Sequence, residues 1–348
     1  MSEDLYRKSV RNLVFIEARA NGINEELVRQ LAKTFEELDD KLAVTKNYES
    51  KRRIRRILNE FKSTLRKVYA RWSDELSVET SNAIQAVIKR ESKIIIKDYS
   101  VEYDDFYQVP VDGLNEILKS PVAGGVLKDW TETLTEKQIQ GIQSSLFTSF
   151  SEGIGGRDAA RRLRKEALGL TRNQADVVAR TYMIQSATRA RESMYKEFET
   201  VLPRFRYVAV LDSRTCPICS PDDGKMADKF EDLPSVPRHP RCRCQRLPWT
   251  RTMDRVKAER PSTIDAPKKV QHRDGSTSTK FTVVESKRIP IQTTYKQWFE
   301  TLPDKDKIRI LGKKRFALYK EKGLSLDKFR TPTGIRSIKE LEKVLDDS

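Results

Sequence analysis

Every cysteine of this 348-residue chain falls in one short window, LDSRTCPICSPDDGKMADKFEDLPSVPRHPRCRCQRLPW, from Leu211 to Trp249. They are Cys216, Cys219, Cys242 and Cys244, and one of the two histidines, His239, lies among them. The order is C-x-x-C, a loop rich in proline and aspartate, then H-P-x-C-x-C. Zn²⁺ takes thiolate sulfur and imidazole nitrogen, and four protein ligands close a structural site. A C-x-x-C turn aims both of its sulfurs at one ion, and Pro217 stiffens that turn. In an extended segment Cys242 and Cys244 share a face, because side chains alternate with period two. His239 is a fifth donor, and spacing alone does not select four of the five. The alternatives are two disulfides or four reduced thiols packed in a small core. No βαβ pattern surrounds the C-x-x-C, which argues against thioredoxin-like redox chemistry.

The same run resembles the Mu F-like head-morphogenesis family, the minor head proteins of tailed bacteriophages. The resemblance rests on Asp212, Arg214, Thr215, Cys216, Cys219, Asp223, Gly224, Pro237, His239, Pro240, Cys242, Arg243 and Cys244. Upstream, Ala175 to Tyr195 is similar to the helix that precedes the motif in the family, with Ala179, Arg180 and Thr181 at matching places. One departure is Tyr182, where the family often carries an acidic residue. It bears on a polar role for that position and not on the fold. A weaker likeness extends into the C-terminal segment TYKQWFETLP…ILGKKRFALYKEKGLSLDKF. The resemblance implies a virion component in the head interior, made in the host cytoplasm and bound near the portal vertex. Its implied partners are the portal protein, the major capsid or scaffolding protein, and double-stranded DNA bound without sequence preference.

The rest of the chain reads as mainly α. A helical N-terminal arm or bundle is expected over 1–100, a looped connection over 101–134, and a head-morphogenesis domain with the Cys/His module over 135–249. A linker over 250–290 and a small helical region over 291–348 follow. Leu27, Leu31, Phe35, Leu38 and Leu42 recur at helical spacing, after a helix with Val10, Leu13, Val14 and Ile16 that Asn21-Gly22 is expected to break. A third helix carries Ile54, Leu58, Phe61, Leu65, Val68 and Trp72. A fourth carries Val78, Ile84, Val87, Ile88 and Ile95. Thr135 with Gln138 reads as a capping box opening the next helix, with Ile139, Ile142, Leu146 and Phe150 along one face. Asp158 caps a short basic helix, and Thr171 opens another that runs to about Phe198. Arg206 to Leu211 alternates like a strand, Asp223-Gly224 signals a turn, and Arg243 to Leu247 returns as the partner of that strand in a small β-hairpin. Pro261, Pro267, Gly275 and the Ser-Thr-Ser-Thr run mark Thr250 to Ser278 as linker, and place His272 in a solvated loop; Lys280 to Glu285 reads as a short strand.

The net charge of +16 points to a nucleic-acid, anionic-surface or acidic-protein partner. Two basic runs are candidate phosphate contacts: Lys51, Arg52, Arg53, Arg55 and Arg56, and Arg161, Arg162 and Arg164. The competing reading of such runs is a solvated helix face. No stretch of about 20 apolar residues exists to span a membrane. The first residues, MSEDLYRKSVRN, lack an apolar secretory core, so synthesis in a reducing cytosol is expected, which favours metal over disulfides. Gly153-Ile-Gly-Gly lacks the Lys-Ser/Thr of a P-loop and follows a helix, so nucleotide binding is rejected. Catalysis is not expected either. Four thiols and an imidazole close a zinc site, whereas a catalytic zinc keeps an open position and a nearby base. A cytosolic zinc-ribbon protein that binds nucleic acid is the alternative function.

Overall fold

The computed structural model describes residues 2–43, 51–122, 124–152, 154, 156–249, 258–273, 275–331 and 334–346. Five helices come first: α1 (Ser2–Ala43), α2 (Lys51–Tyr99), α3 (Val111–Lys119), α4 (Leu127–Ser151) and α5 (Gly156–Glu197). Strands β1 (Phe205–Val208), β2 (Leu211–Asp212), β3 (Met226–Ala227) and β4 (Gln245–Pro248) follow, then the long strands β5 (Glu259–Gln271) and β6 (Thr277–Pro290). Short helices α6 (Tyr295–Glu300), α7 (Asp304–Leu311), α8 (Lys313–Lys322) and α9 (Ile338–Asp346) close the chain. The architecture is mainly α, with two three-stranded sheets ordered β3-β1-β4 and β2-β5-β6.

Helices α1, α2, α4 and α5 share one core. Leu27, Leu31, Phe35, Leu38 and Leu42 are all buried, as their spacing requires. So are Phe61, Leu65, Trp72, Ile84, Val87, Ile88 and Ile95 of α2. Val14 and Val78 were expected on the apolar faces and are instead exposed. The side chains of Ile54 and Phe150 lie outside the described residues.

The helices are longer than local signals indicate. Asn21-Gly22 does not break α1. The apolar stripe continues in register on both sides through Ala20 and Leu27, and tertiary packing overrides the ~1 kcal/mol that a mid-helix glycine costs. The third and fourth expected helices are one, α2. Likewise α5 runs unbroken from Gly156, so the helix expected from Thr171 is its second half. The capping box at Thr135 is also corrected, because α4 begins at Leu127. Thr135 is inside it and donates to the Thr131 carbonyl at 2.7 Å. Gln138 is buried, donating to Ala167 O (3.0 Å) and accepting from Thr171 Oγ1 (2.7 Å) and Tyr69. A capping box does form at α6, where Thr294 and Gln297 satisfy each other's backbone amides.

A buried ion pair stitches three helices together. Arg191 on α5 donates from Nε and Nη2 to Glu91 on α2, both at 2.9 Å. Asn12 (2.7 Å) and Ser9 (3.3 Å) of α1 donate to the same carboxylate. With every oxygen occupied, the charge tolerates burial that would otherwise be prohibitive.

The expected pairing of the two segments is present, but not as a hairpin, because β2 and β3 lie between them in the chain and β3 pairs on the other side of β1. β1 pairs antiparallel with β4 over Phe205↔Pro248 to Val208↔Gln245. The looped reading of the following segment is corrected. Residues 250–257 lie outside the described residues, but Glu259–Gln271 and Thr277–Pro290 form a long antiparallel ribbon. Its prolines are tolerated because only Ser262 and Thr263 of β5 pair on the far side, with β2. Pro267 therefore withholds its missing N–H from an edge that has no partner. The ribbon's tip packs on α5, where Gly169 leaves room: a Cβ there would sit 3.2 Å from Thr277 O. The C-terminal helices form a second core with Leu211 and Ile264, built on Tyr295, Trp298, Phe299, Phe316 and Phe329.

The Glu91–Arg191 pair generates a prediction. Arg191→Met leaves a buried, uncompensated carboxylate and should lower stability by about 3–5 kcal/mol, whereas Glu91→Leu with Arg191→Met should recover most of the loss. Thermal unfolding of the two variants beside the parent checks this.

Candidate metal centre

The two halves of the cysteine motif leave the same end of one ladder. Val208 pairs with Gln245, so the chain beyond β1 and the chain entering β4 run side by side. The first carries Cys216 and Cys219, the second His239, Cys242 and Cys244. In the C-x-x-C turn, Cys219 N and Ser220 N both donate to Cys216 O at 3.1 and 3.0 Å. The second half-site is a tight turn in which Cys242 N donates to His239 O at 3.1 Å. Arg241 within it adopts a left-handed φ of 60°, a conformation non-glycine residues take only where the surroundings impose it.

All five sequence-singled residues converge. Cys216, Cys219 and His239 form one set of mutually adjacent donors, and Cys219, Cys242 and Cys244 a second; within each, the donor atoms lie within 4.8 Å of one another. His239 Nε2 is 3.0 Å from Cys216 Sγ and 3.3 Å from Cys219 Sγ, and Cys219 Sγ is 3.9 Å from Cys242 Sγ. Donors about 2.1–2.3 Å from one tetrahedral ion are about 3.5–3.8 Å apart; Cys219 and Cys242 are near that separation and His239 sits closer to its two thiols, so the donors are gathered on the scale of a metal site. The spacing does not fit a disulfide, whose sulfurs are about 2.05 Å apart, and all four cysteines are free. His239 Nδ1 lies 2.8 Å from Pro240 O. A carbonyl only accepts, so Nδ1 carries a proton and Nε2 is the nitrogen turned to the thiols.

The electrostatics of the cluster favour a cation. Hydrogen bonding to Cys219, then to His239, lowers the Cys216 thiol to about 4. Contacts with Cys216 and Cys242 raise His239 to about 10. Cys219 is pushed up by Cys216 and by its other thiol neighbours. One ionised thiol thus opposes ionisation of the next, a conflict that a divalent ion at the centre relieves. Burial also raises the Tyr207 phenol, which packs against Cys219, Cys242 and Cys244.

Three carboxylates hold the ligand segments in place. Asp212 is the most consequential. Its Oδ1 accepts from Arg214 N (3.0 Å) and Thr215 N (2.9 Å), which shapes the approach to Cys216. The same carboxylate takes both Nη atoms of Arg243, the residue between Cys242 and Cys244. One ion pair therefore ties the first half-site to the second. Burial opposes ionisation of Asp212, but Arg243 and Arg214 prevail and hold its carboxyl below the usual range. Asp222, just past Cys219, accepts from Arg238 and from Arg330 (2.6 Å), and Arg330 also caps Ile218 O at 3.0 Å. Asp223 accepts from Ala209 N (2.8 Å), Arg260 Nη1 (3.1 Å) and Tyr295 N (2.7 Å). By sequence alone Asp212, Asp222 and Asp223 could serve as bases, with turn and hydrogen-bond roles the preferred reading. Sequence reasoning missed Arg238, Arg260 and Arg330 altogether, because nothing local marks an arginine whose partner is distant in sequence.

Helix α5 meets the module through Thr181 and Asp176 rather than through Arg180. Arg180 points to α1, bonding Glu17 (3.0 Å) and Asn21 (2.7 Å). The tie comes from the module, as Arg241 N donates to Thr181 Oγ1 at 3.1 Å and Arg241 Nη2 reaches Asp176 at 2.7 Å. Tyr182 is buried and donates to Leu118 O at 2.8 Å, which anchors α3. A cleft of about 850 Å³ opens beside the centre, between α1, α5 and the ribbon. Cys216 and both histidines of the chain line it. His272 is not a free loop residue there, since its Nε2 is 2.8 Å from Ser278 Oγ.

The structure does not bring the two basic runs to this centre. Arg164 bonds Asp39 (3.4 Å) near the end of α1, 17 residues or about 25 Å along α5 from Thr181. Arg161 pairs with Asp158 and Arg162 with Glu152 and Glu166. Arg55 and Arg56 are exposed, whereas the side chains of Lys51, Arg52 and Arg53 lie outside the described residues.

Fold and site together define a helical protein with a Cys/His module pinned to its flank. Residues 140–247, from within α4 to within β4, match the model of the family described as phage Mu protein F like protein. The resemblance read from the cysteine motif is thus matched by a family model that ends at the module, and it points to a phage head-related protein. No curated protein and no solved structure matches the chain. Among the described residues no helix is long and apolar enough to cross a membrane.

Replacing Asp212 by Asn strands the Arg243 guanidinium and should cost about 3 kcal/mol. The pH dependence has a defined sign. A carboxyl held below its unfolded value of about 3.9 contributes stability above that value and loses it as pH falls through the lower folded one. The Asn variant should therefore melt lower at neutral pH, and the gap should close in acid. Thermal unfolding across that range checks the prediction.

Proposed function

We propose that this chain is a minor head protein of a tailed bacteriophage, seated at the portal vertex inside the head and touching packaged DNA without sequence preference. The observation that carries the reading is the coincidence of the family match with the five converged donors. The portal, the major capsid or scaffolding protein and DNA are its proposed partners. The role is structural, not enzymatic. The module's four thiols and one imidazole offer a closed donor set, and its carboxylates are committed to arginines and backbone amides.

A single Zn²⁺ held by Cys216, Cys219, His239 and Cys242 suits the spacing best. His239 Nε2 reaches both thiols of the C-x-x-C turn, and Cys242 lies beside Cys219. Cys244 then packs behind the site against Tyr207. The ion stiffens a loop-rich module whose apolar burial is small. DNA contact fits the end of the bundle where Arg55, Arg56 and Arg161 are exposed. A regulatory zinc-ribbon protein would read base edges through a sequence preference, which backbone contact does not confer.

Metal content tests the centre. Protein purified without chelator should carry about one zinc per chain, consistent with a closed four-ligand site. Cys216→Ser should lose the metal and the cooperative melting of the module, whereas Cys244→Ser should retain both. A metal-free parent whose melting Cys216→Ser leaves unchanged would sink the zinc assignment. The head assignment has its own test, mass spectrometry of purified DNA-filled particles encoded by the same genome. The protein should be found in them, and its presence in the lysate but not in the particles would overturn that reading.

A further inference from the structure

Strand β6 lies at the open edge of its sheet. Its segment from Thr277 to Val283 pairs with β5 on one side. On the other side no backbone hydrogen bond to another element is formed among the described residues. A row of unpaired amides and carbonyls of this length is a ready template for another strand, and proteins normally cover it or blunt it. Here the ribbon is held at both ends, and between them Arg214 bonds Asp265 of β5 and lies over the Phe281 ring, leaving the outer backbone edge of β6 uncovered by any strand among the described residues. Its base is fixed by β2 through Leu211↔Ser262 and Asp212↔Thr263. Its tip is fixed on α5, where Arg172 Nε donates to Ser276 Oγ at 3.3 Å and Gly169 admits the Thr277 carbonyl. The edge is thus presented in a set conformation, which lowers the ordering cost of a partner.

Two further observations specify that partner. Phe281 and Val283, which share a face, are 44% and 58% exposed, and Val284, where the register shifts, is 57% exposed. Water-exposed apolar side chains crowded into four residues call for apolar cover. Second, Lys268 and Lys280 stand directly opposite each other across the ribbon. Lys269 adjoins them, and no described carboxylate forms an ion pair with any of the three. Like charges facing each other across a strand pair are destabilising, and an anionic partner removes that penalty.

We propose that an extended segment of a partner polypeptide, alternating apolar and acidic residues, adds as a strand to the Thr277–Val283 edge. Its apolar side chains cover Phe281 and Val283, and its carboxylates face Lys280 and Lys268. The edge borders the cleft that Cys216 and His239 also line, but it contributes no donor to the Cys/His cluster. Three features favour a polypeptide over DNA: backbone amides to satisfy, apolar side chains to cover, and lysines to neutralise. DNA answers only the last. A second copy of this chain is disfavoured by charge, since antiparallel pairing of two β6 strands centred on Val283 and Val284 sets Lys280 against Lys287.

The test uses the full chain and a labelled peptide of alternating valine, threonine and glutamate, with a lysine-for-glutamate peptide and duplex DNA as competitors. Binding is read by anisotropy, and its location by amide hydrogen exchange. The acidic peptide should bind, protect amides of Thr277–Val283, and lose affinity on the order of tenfold in Lys268→Glu/Lys280→Glu, which reverses two exposed cations. Both sites are exposed, so the variant should melt like the parent. A variant that melts normally and binds equally well overturns the proposal, as does protection elsewhere in the chain. Equal binding of the lysine peptide also overturns it. So does displacement of the peptide by duplex DNA with the same amides protected, which would assign this edge to nucleic acid. Concentration-dependent dimerisation that protects the same amides would assign it to a second copy. Because none of these readouts involves particles or metal, failure here leaves the head assignment and the zinc assignment standing on their own tests.

Discussion

The ion pair between Asp212 and Arg243 is the contact on which the rest of the module depends. One carboxylate shapes the turn into Cys216 and grips the arginine between Cys242 and Cys244. The two ligand-bearing segments are separated by a long loop with little apolar content. Burial alone would hold such segments weakly, and thiols in a row repel once ionised. The charged pair fixes their register before any metal contributes, because both partners are largely withdrawn from water and bidentate geometry resists sliding. Arginine is the residue for this task, since its planar fork meets two carboxylate oxygens at once.

Around that pair, arginine–carboxylate contacts repeat as a construction rule. Asp222 with Arg238 and Arg330 binds the C-x-x-C turn to the C-terminal helices. Asp223 with Arg260 binds it to the ribbon, and Asp176 with Arg241 binds the second half-site to α5. Glu91 with Arg191 does the same inside the bundle. The module is thus joined to helices, ribbon and C-terminal core by separate charged ties. Much of the chain's arginine is committed internally, and the basic excess available to partners is concentrated at fewer places than the sequence implies.

Where local signals agreed with long-range packing, the chain was legible. The α1 stripe from Leu27 to Leu42 and the strand character of β1 and β4 were readable because side-chain periodicity acts over few residues. Where they conflicted, packing prevailed: Asn21-Gly22 sits within a helix, and Thr135 with Gln138 is not a cap. Of the ribbon of Glu259–Gln271 and Thr277–Pro290 only a short strand over Lys280 to Glu285 was legible, because the rest is polar and largely exposed on both faces. It therefore lacks the alternation that marks a half-buried strand. Its prolines look prohibitive until β5 is seen to have a partner on one side only over most of its length.

The sequence by itself determined the chemistry of the centre. Five donors in fixed order, with Asp212 ahead and Arg243 between the last two cysteines, set which donor atoms the centre offers and carry the family resemblance. Donor type and spacing along the chain are local properties. The tertiary structure alone decided how those donors meet: His239 against both thiols of the first turn, Cys244 toward Tyr207, and a cleft with both histidines on its wall. It alone decided which cations are spent on carboxylates and which stay available, and that a polar stretch read as a linker becomes an exposed sheet edge. Those outcomes depend on pairings between residues tens to hundreds of positions apart, and no local pattern encodes the partner of a distant charge or strand.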